Sequence, residues 1–310
     1  MQLSQPDWEH FSKQIYAPLK KELQGGSGFI RKIKAGDEPN RKTEIAARMG
    51  TFFNRNDLSG LDDEIDDLAN AMLDINDRYS TKIYYDHIAY FGDPAFNGGF
   101  PCVSSIGTFV ETNGADRIAV RRLLGITSRV VNESLSQANK SNAGEAGENI
   151  VRSVLNAAGL VKDQHFREQY KSREGSDTDF VFPNVPDRQD QKVEAFVAVQ
   201  MSSNDRTRLT SSELKIGAKA FMFTGNGLNA SKKKMSSVGL QIIEGLRSKR
   251  VQLVCFKGEI EREKNRIGKA ISAGKKDIPE LEARLDYFEH YALGFGEFAE
   301  YVKDKFSKTG

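Results

Sequence analysis

Two aspartates one residue apart, Asp177 and Asp179, enter a stretch of β character, Thr178-Asp-Phe-Val-Phe-Pro183. Side chains alternate along a strand, so both carboxylates fall on one face. A second and more apolar β stretch, Val193 to Met201, carries Glu194, Ala198 and Gln200 on one of its own faces. If the two stretches are neighbours in a sheet, acidic and amide oxygens converge at one of its ends. Such a cluster suits a hard divalent cation. Mg²⁺ takes oxygen ligands, keeps several waters and polarises a phosphodiester, while lowering the pKa of a bound water that attacks phosphorus. Glu145 and Glu148, in the first turn of a preceding helix, offer a further carboxylate.

Hydrogen-bonding side chains follow the second β stretch in Ser202, Ser203, Asn204, Arg206 and Arg208. The two arginines can meet phosphates or guanine edges, and the asparagine an adenine edge. Lys232, Lys233 and Lys234 open a later helix whose far end carries Arg247, Lys249 and Arg250. Both groups are local positive charge of the kind that binds a phosphate backbone. They matter because the total is nearly neutral: 45 Lys+Arg against 43 Asp+Glu gives +2, which neither requires nor excludes nucleic acid.

Along the chain the apolar residues switch between helical and strand periods. Helical spacing of apolar residues covers Trp8 to Leu23, Arg41 to Phe53 and Ala69 to Tyr79. A loop rich in Gly, Pro and aromatics is expected from Tyr84 to Pro101, and then a helix bearing Arg117, Arg121 and Arg122 and ending near Asn139. A separate helix runs from Glu145 to Leu160 and is stopped by Gly159. Strands follow at Phe166 to Tyr170, Thr178 to Phe182 and Val193 to Met201. A helix near Thr210 to Ile216, a strand at Ala218 to Thr224, a helix at Lys233 to Ser248 and a strand at Arg250 to Phe256 complete an α/β layered core. Three helices close the chain, at Gly258 to Ala273, Ile278 to Tyr291 and Gly296 to Phe306.

Taken in order, Gly144-Glu-Ala-Gly-Glu148 on a helix, Ser176-Asp-Thr-Asp-Phe-Val-Phe-Pro183, and Val197-Ala-Val-Gln-Met-Ser-Ser-Asn-Asp-Arg206 resemble the PD-(D/E)xK nuclease superfamily, and type II restriction endonucleases within it. The resemblance covers roughly Ala143 to Phe256. It implies a restriction-endonuclease-like core, a mixed sheet flanked by helices at residues 141–257. A mainly helical region at 1–140 would serve DNA recognition or dimerisation, and 258–310 would form a C-terminal helical extension. It also implies a Mg²⁺-dependent endodeoxyribonuclease acting on double-stranded DNA as a homodimer. In such a site Asp179 is the first metal-binding carboxylate, with Asp177 as the substitute, and Glu148 supports from the helix. The second acid and the water-orienting residue fall on Ala198 and Gln200. Glutamine for the usual lysine resembles an acid-x-glutamine variant of the family, but a methyl group ligates nothing. Three readings of Ala198 stay open: an acid-to-alanine replacement that leaves DNA bound and uncut, a carboxylate displaced to Glu194, about 13 Å along the strand, or a site inactive by nature. A non-catalytic DNA-binding protein on the same fold and a structure-directed or single-strand nuclease of repair or phage defence are the alternatives.

Each feature also has a plain structural reading. Paired aspartates before a strand commonly cap turns, Glu148 suits a helix N-terminus, Glu194 an exposed strand position, Gln200 the pairing of buried backbone groups, and a lysine run a solvated helix start. The aromatics from Tyr84 to Phe100 read mostly as core. Other chemistries find no motif. His10, His87, His165 and His290 have no zinc spacing. No Gly-x-x-x-x-Gly-Lys-Ser/Thr loop signals a nucleotide cofactor, and the acidic run Asp62 to Asp67 lacks calcium-loop spacing. No apolar run reaches the roughly 20 residues of a membrane span. Two cysteines in 310 residues, Cys102 and Cys255, suit a reducing cytoplasm.

Overall fold

The computed structural model describes residues 5–50, 52, 57–113, 116–175, 177–200, 218–225, 240–274 and 277–308. The chain divides into two compact units, one of residues 1–47 and 72–142, the other of residues 48–71 and 143–310.

The first unit is helical and draws on α1 (Gln5–Leu23), α2 (Phe29–Met49), α3 (Leu61–Gly92), α4 (Pro94–Asn97), α5 (Pro101–Asn113) and α6 (Arg117–Ala157). Its core gathers Leu19 and Leu23 from α1, Phe29 and Ile33 from α2, Ile83 and Phe91 from α3, Val103 and Ile106 from α5, and Leu123 and Val130 from α6. The expected loop at Tyr84–Phe91 is helix instead. These aromatics belong to the buried stripe of α3, and Phe91 packs edge-on against Phe29 at 5.2 Å between ring centres. Apolar burial outweighs the turn signal of Gly92-Asp-Pro94, which ends the helix only at its last residue. Tyr85 is the exception, 75% exposed. The next helix begins at Pro101, and the Glu22 carboxylate accepts the N–H groups of Cys102 and Val103 at 2.8 and 2.9 Å, matching an anion to a helix N-terminus. Gly107 is required where α5 crosses α3, since a Cβ there would stand 2.4 Å from the Phe91 carbonyl oxygen.

The second unit is α/β, with a six-strand mixed sheet in the order β1 (Arg167–Lys171), β2 (Asp177–Phe182), β3 (Ala195–Gln200), β4 (Lys219–Thr224), β5 (Gln252–Val254), β6 (Ala292–Leu293). The first three strands pair antiparallel and the last three join in parallel. Near-continuous apolar sequence in β3 and β4 follows from burial on both faces. One face sets Val181, Phe196, Ala220, Met222 and Leu253 against α7 (Leu240–Ser248), α8 (Lys257–Ser272) and α9 (Ile278–His290), through Ile243, Ile260, Tyr287 and Phe288. The other sets Phe182, Phe221 and Phe223 against Phe306, Phe298 and Phe295 of α10 (Phe295–Phe306), with ring centres 5.1–5.8 Å apart.

The acidic run of residues 62–67 has a structural role in this unit. Asp62 accepts the N–H groups of Phe295 and Gly296 at the start of α10, and a Cβ on Gly294 would meet its carboxylate at 2.8 Å. Its neighbour Asp66 lacks such a donor: its Oδ1 is buried without a hydrogen-bond partner. Burial, aided by the charges of Asp62, Asp63 and Asp67, pushes the Asp66 pKa up from 3.8 to about 6. A carboxyl whose folded-state pKa lies above its unfolded value favours the fold below the unfolded value, and that favour is lost as pH rises through the folded one. A shift of this size corresponds to about 3 kcal/mol for a fully buried group, and water around this half-exposed one cuts it to about 1 kcal/mol. Asp66→Asn is therefore expected to stabilise the protein by about 1 kcal/mol near pH 7.5 and by nothing near pH 3.5. Urea midpoints at the two pH values test this, and an equal gain at both would rule out titration of Asp66 as its source.

Candidate functional site

The registers decide which sequence-marked residues meet. In the antiparallel β2–β3 ladder Phe180 faces Val197 and Val181 faces Phe196. The ladder ends at the Phe180–Val197 pair. Beyond it, alternation puts Asp179 and Asp177 on the face of Val181, and Ala198 and Gln200 on the face of Phe196, which is the same face of the sheet. Asp179 is also tied to β3 by a hydrogen bond, the Val199 N–H donating to its Oδ2 at 2.6 Å. Ala198 is 2% exposed and Gln200 8%. In the parallel pairing beyond, Gln200 adjoins Thr224, which is also buried. Asp177 is exposed and lies opposite Lys171 at the end of β1.

Glu148 reaches this group from α6. Burial and then the Asp179 charge raise its pKa, against the opposing pull of Arg152. Burial likewise raises Asp179, helped by the Asp177 charge and opposed by the Val199 N–H. Two carboxylates are thus held half-buried in one neighbourhood, an arrangement that favours a proton or a cation between them. Glu145 sits one turn earlier on the same helix, partly exposed.

Glu194 does not join the group. It precedes β3 at the far end of the strand, is exposed, and its Oε2 pairs with Lys305 Nζ at 3.5 Å. The displaced-carboxylate reading of Ala198 therefore supplies no oxygen beside Asp179. Ser202, Ser203, Asn204, Arg206, Arg208, Lys232, Lys233 and Lys234 lie outside the described residues, as does the helix expected at Thr210 to Ile216.

One residue that the sequence did not mark belongs to the site. Gln169 lies in the middle of β1, between the paired residues Glu168 and Tyr170, and its Nε2 donates to Glu148 Oε1 at 3.3 Å. Its φ is +51°, in the left-handed region. A glutamine in a weakly apolar strand reads as an ordinary exposed position, and no sequence signal announces a left-handed backbone there. That conformation costs a non-glycine residue about 1–2 kcal/mol, whereas glycine loses about 0.5–1 kcal/mol through chain entropy. Gln169→Gly is expected to raise stability by about 0.5–1 kcal/mol, and Gln169→Ala, which keeps its Cβ, to bring no gain. Equilibrium denaturation of the two variants separates the outcomes; a loss in Gln169→Gly would mean that the bond to Glu148 outweighs the backbone term.

The donor set for a cation is two carboxylates, Asp179 and Glu148, with Gln200 further along β3. Among the described residues no group of three or more His, Cys, Asp or Glu side chains is arranged to hold a metal ion. The set fits a water-rich magnesium site in donor chemistry, since Mg²⁺ commonly binds through one or two carboxylates, and Ala198 contributes no ligand to it. No family model matches this chain, and no curated protein matches it. No described helix is long and apolar enough to cross a membrane.

Proposed function

We propose that this chain is a duplex-DNA endonuclease of the restriction type, on a PD-(D/E)xK-like core, whose metal site is one carboxylate short at Ala198. The observation that carries this reading is the hydrogen bond by which the Asp179 carboxylate on β2 takes the N–H of Val199 on β3, next to Ala198 and Gln200. Asp179 and Glu148 would hold Mg²⁺, which supplies charge to the scissile phosphate and an acidified water. Gln200 would orient that water. Phosphate contacts fall to the polar stretch from Ser202 to Arg208 and the lysines at 232–234. The two-fold symmetry of duplex DNA calls for a homodimer to cut both strands, and the free cysteines suit a cytoplasmic setting.

A second reading is favoured by Ala198 itself: a DNA-binding protein on the same core that does not cut. Mobility-shift assays with duplex, single-stranded and branched DNA, with and without Mg²⁺, test both. Duplex binding that weakens at least about tenfold between 50 and 200 mM salt is expected, with little plasmid nicking. Preference for branched or single-stranded DNA would move the reading to a structure-directed nuclease. Absence of DNA binding at low salt would end both DNA readings.

A further inference from the structure

The hairpin of α8 and α9 encloses a pocket of about 300 Å³ lined by Arg266, Ile267, Lys269, Ala270, Leu281 and Arg284. Three of these six residues are cations. The acid that organises them is Glu263, itself 1% exposed, whose Oε2 accepts from Arg284 at 2.6 Å and from Arg266 at 2.9 Å. Two guanidinium groups thus converge on one carboxylate oxygen, and Lys269 adds a third positive charge on the same wall. A second buried carboxylate, Glu259, is paired with Arg262 and also acts on Arg284. Two buried acids thus face four cations, Arg262, Arg266, Lys269 and Arg284, which leaves the wall positive. Arg284 is 7% exposed, while Arg266 and Lys269 stand exposed three residues apart on α8. The floor between them is apolar: Ile267 is 1% exposed, with Ala270 and Leu281 beside it. Charge over an apolar floor attracts a counter-ion more strongly than the same charge in water, and arginine forks match the oxygens of phosphate and carboxylate.

We infer that this pocket binds a small organic anion, an oxyanion head joined to a flat apolar body. Its volume is at the lower end of ligand pockets, enough for one ring and its charged group. It shares no residue with the candidate nuclease site and stands or falls independently of it.

The test uses the full chain and three probes, phenyl phosphate, inorganic phosphate and phenol, followed by calorimetry and thermal unfolding. Phenyl phosphate is expected to bind one to one with a sub-millimolar Kd and to raise the Tm, because it binds the folded state. Inorganic phosphate should bind at least about tenfold more weakly and phenol not measurably, since each lacks half of the recognition. The double variant Arg266→Ala/Lys269→Ala changes two exposed side chains and should weaken phenyl phosphate at least about tenfold. Leu281→Trp, which fills the floor, should do the same without altering charge. No saturation by about 10 mM phenyl phosphate, weaker than any specific site of this size, or undiminished binding in the double variant, overturns the assignment. Equal binding of inorganic phosphate would overturn the apolar half of it.

Discussion

Ala198→Glu is expected to turn a chain with no measurable nicking activity into a magnesium-dependent nuclease, with cleavage at least about a thousandfold above the parent protein. The Asp179 carboxylate accepts the N–H of Val199, the residue after Ala198, so a glutamate at position 198 is expected to add its carboxylate to those of Asp179 and Glu148. Such a rise corresponds to about 4 kcal/mol of transition-state stabilisation, a reasonable share for an ion that both activates water and neutralises phosphate charge. The same change carries a cost that serves as its control. Position 198 is 2% exposed and Asp179 is half-buried with a raised pKa, so a new carboxylate without a cation meets burial and like charge together. In EDTA the variant should unfold at a lower temperature than the parent, and Mg²⁺ should restore most of the difference. Ala198→Gln has nearly the same volume without the charge, and should show neither cleavage nor metal-dependent stability. Plasmid nicking across Mg²⁺, Mn²⁺ and Ca²⁺, with melting curves in parallel, reads both effects. An inactive Ala198→Glu variant whose Tm ignores metal would remove Asp179 and its neighbours from consideration as a metal site.

How far the sequence discloses this arrangement depends on whether a feature is local. Strands β1 to β5 are readable, β3 and β4 most clearly because they are apolar on both faces and bounded by polar residues, whereas the two-residue β6, Ala292–Leu293, is too short to show a period. Alternation along one strand cannot give pairing between strands; that Val181 faces Phe196, and that the Asp179 carboxylate reaches the N–H of Val199, depends on how residues 183–194 turn the chain. Gly, Pro and aromatic residues near Tyr84 imitate a loop, yet the rings are core anchors of α3. The polar stretch from Asn139 to Gly144 suggests a helix end, whereas α6 runs through it from Arg117 to Ala157. Its weak helix formers are stabilised by partners distant in sequence: Ser80 donates to Asn139 at 2.7 Å and Lys34 to Asn142 at 3.3 Å. Tertiary hydrogen bonds there override a propensity difference of a few tenths of a kcal/mol per residue. Asp62 is the extreme case, capping a helix 233 residues away. Gln169 was out of reach for a different reason, since its role rests on a backbone angle its residue type disfavours.

The buried carboxylate at position 263 carries the largest expected effect on stability. Glu263→Ala leaves the Arg284 guanidinium, 7% exposed, without the carboxylate oxygen it donates to at 2.6 Å, and removes the same acceptor from Arg266. Breaking one side of a buried ion pair typically costs about 3–5 kcal/mol, because the remaining charge keeps its desolvation penalty and loses its compensation. Glu263→Gln retains an acceptor oxygen and the side-chain volume, so its cost should be smaller, about 1–3 kcal/mol. Replacing both partners, as in Glu263→Leu/Arg284→Met, should recover most of the loss, since an apolar pair of similar volume carries no desolvation penalty to offset. A cycle closed with the single variants Glu263→Leu and Arg284→Met then isolates the coupling between the two groups from the general cost of altering the α8–α9 contact. Anion addition makes the contrast sharper: with Glu263 removed the wall is more positive, so phenyl phosphate should raise the Tm of Glu263→Ala by more than it raises that of the parent protein. Denaturant unfolding of the single and double variants decides it. A Glu263→Ala cost below about 1 kcal/mol would mean that Arg284 finds equivalent compensation elsewhere, and that the ion cluster does not hold α8 to α9.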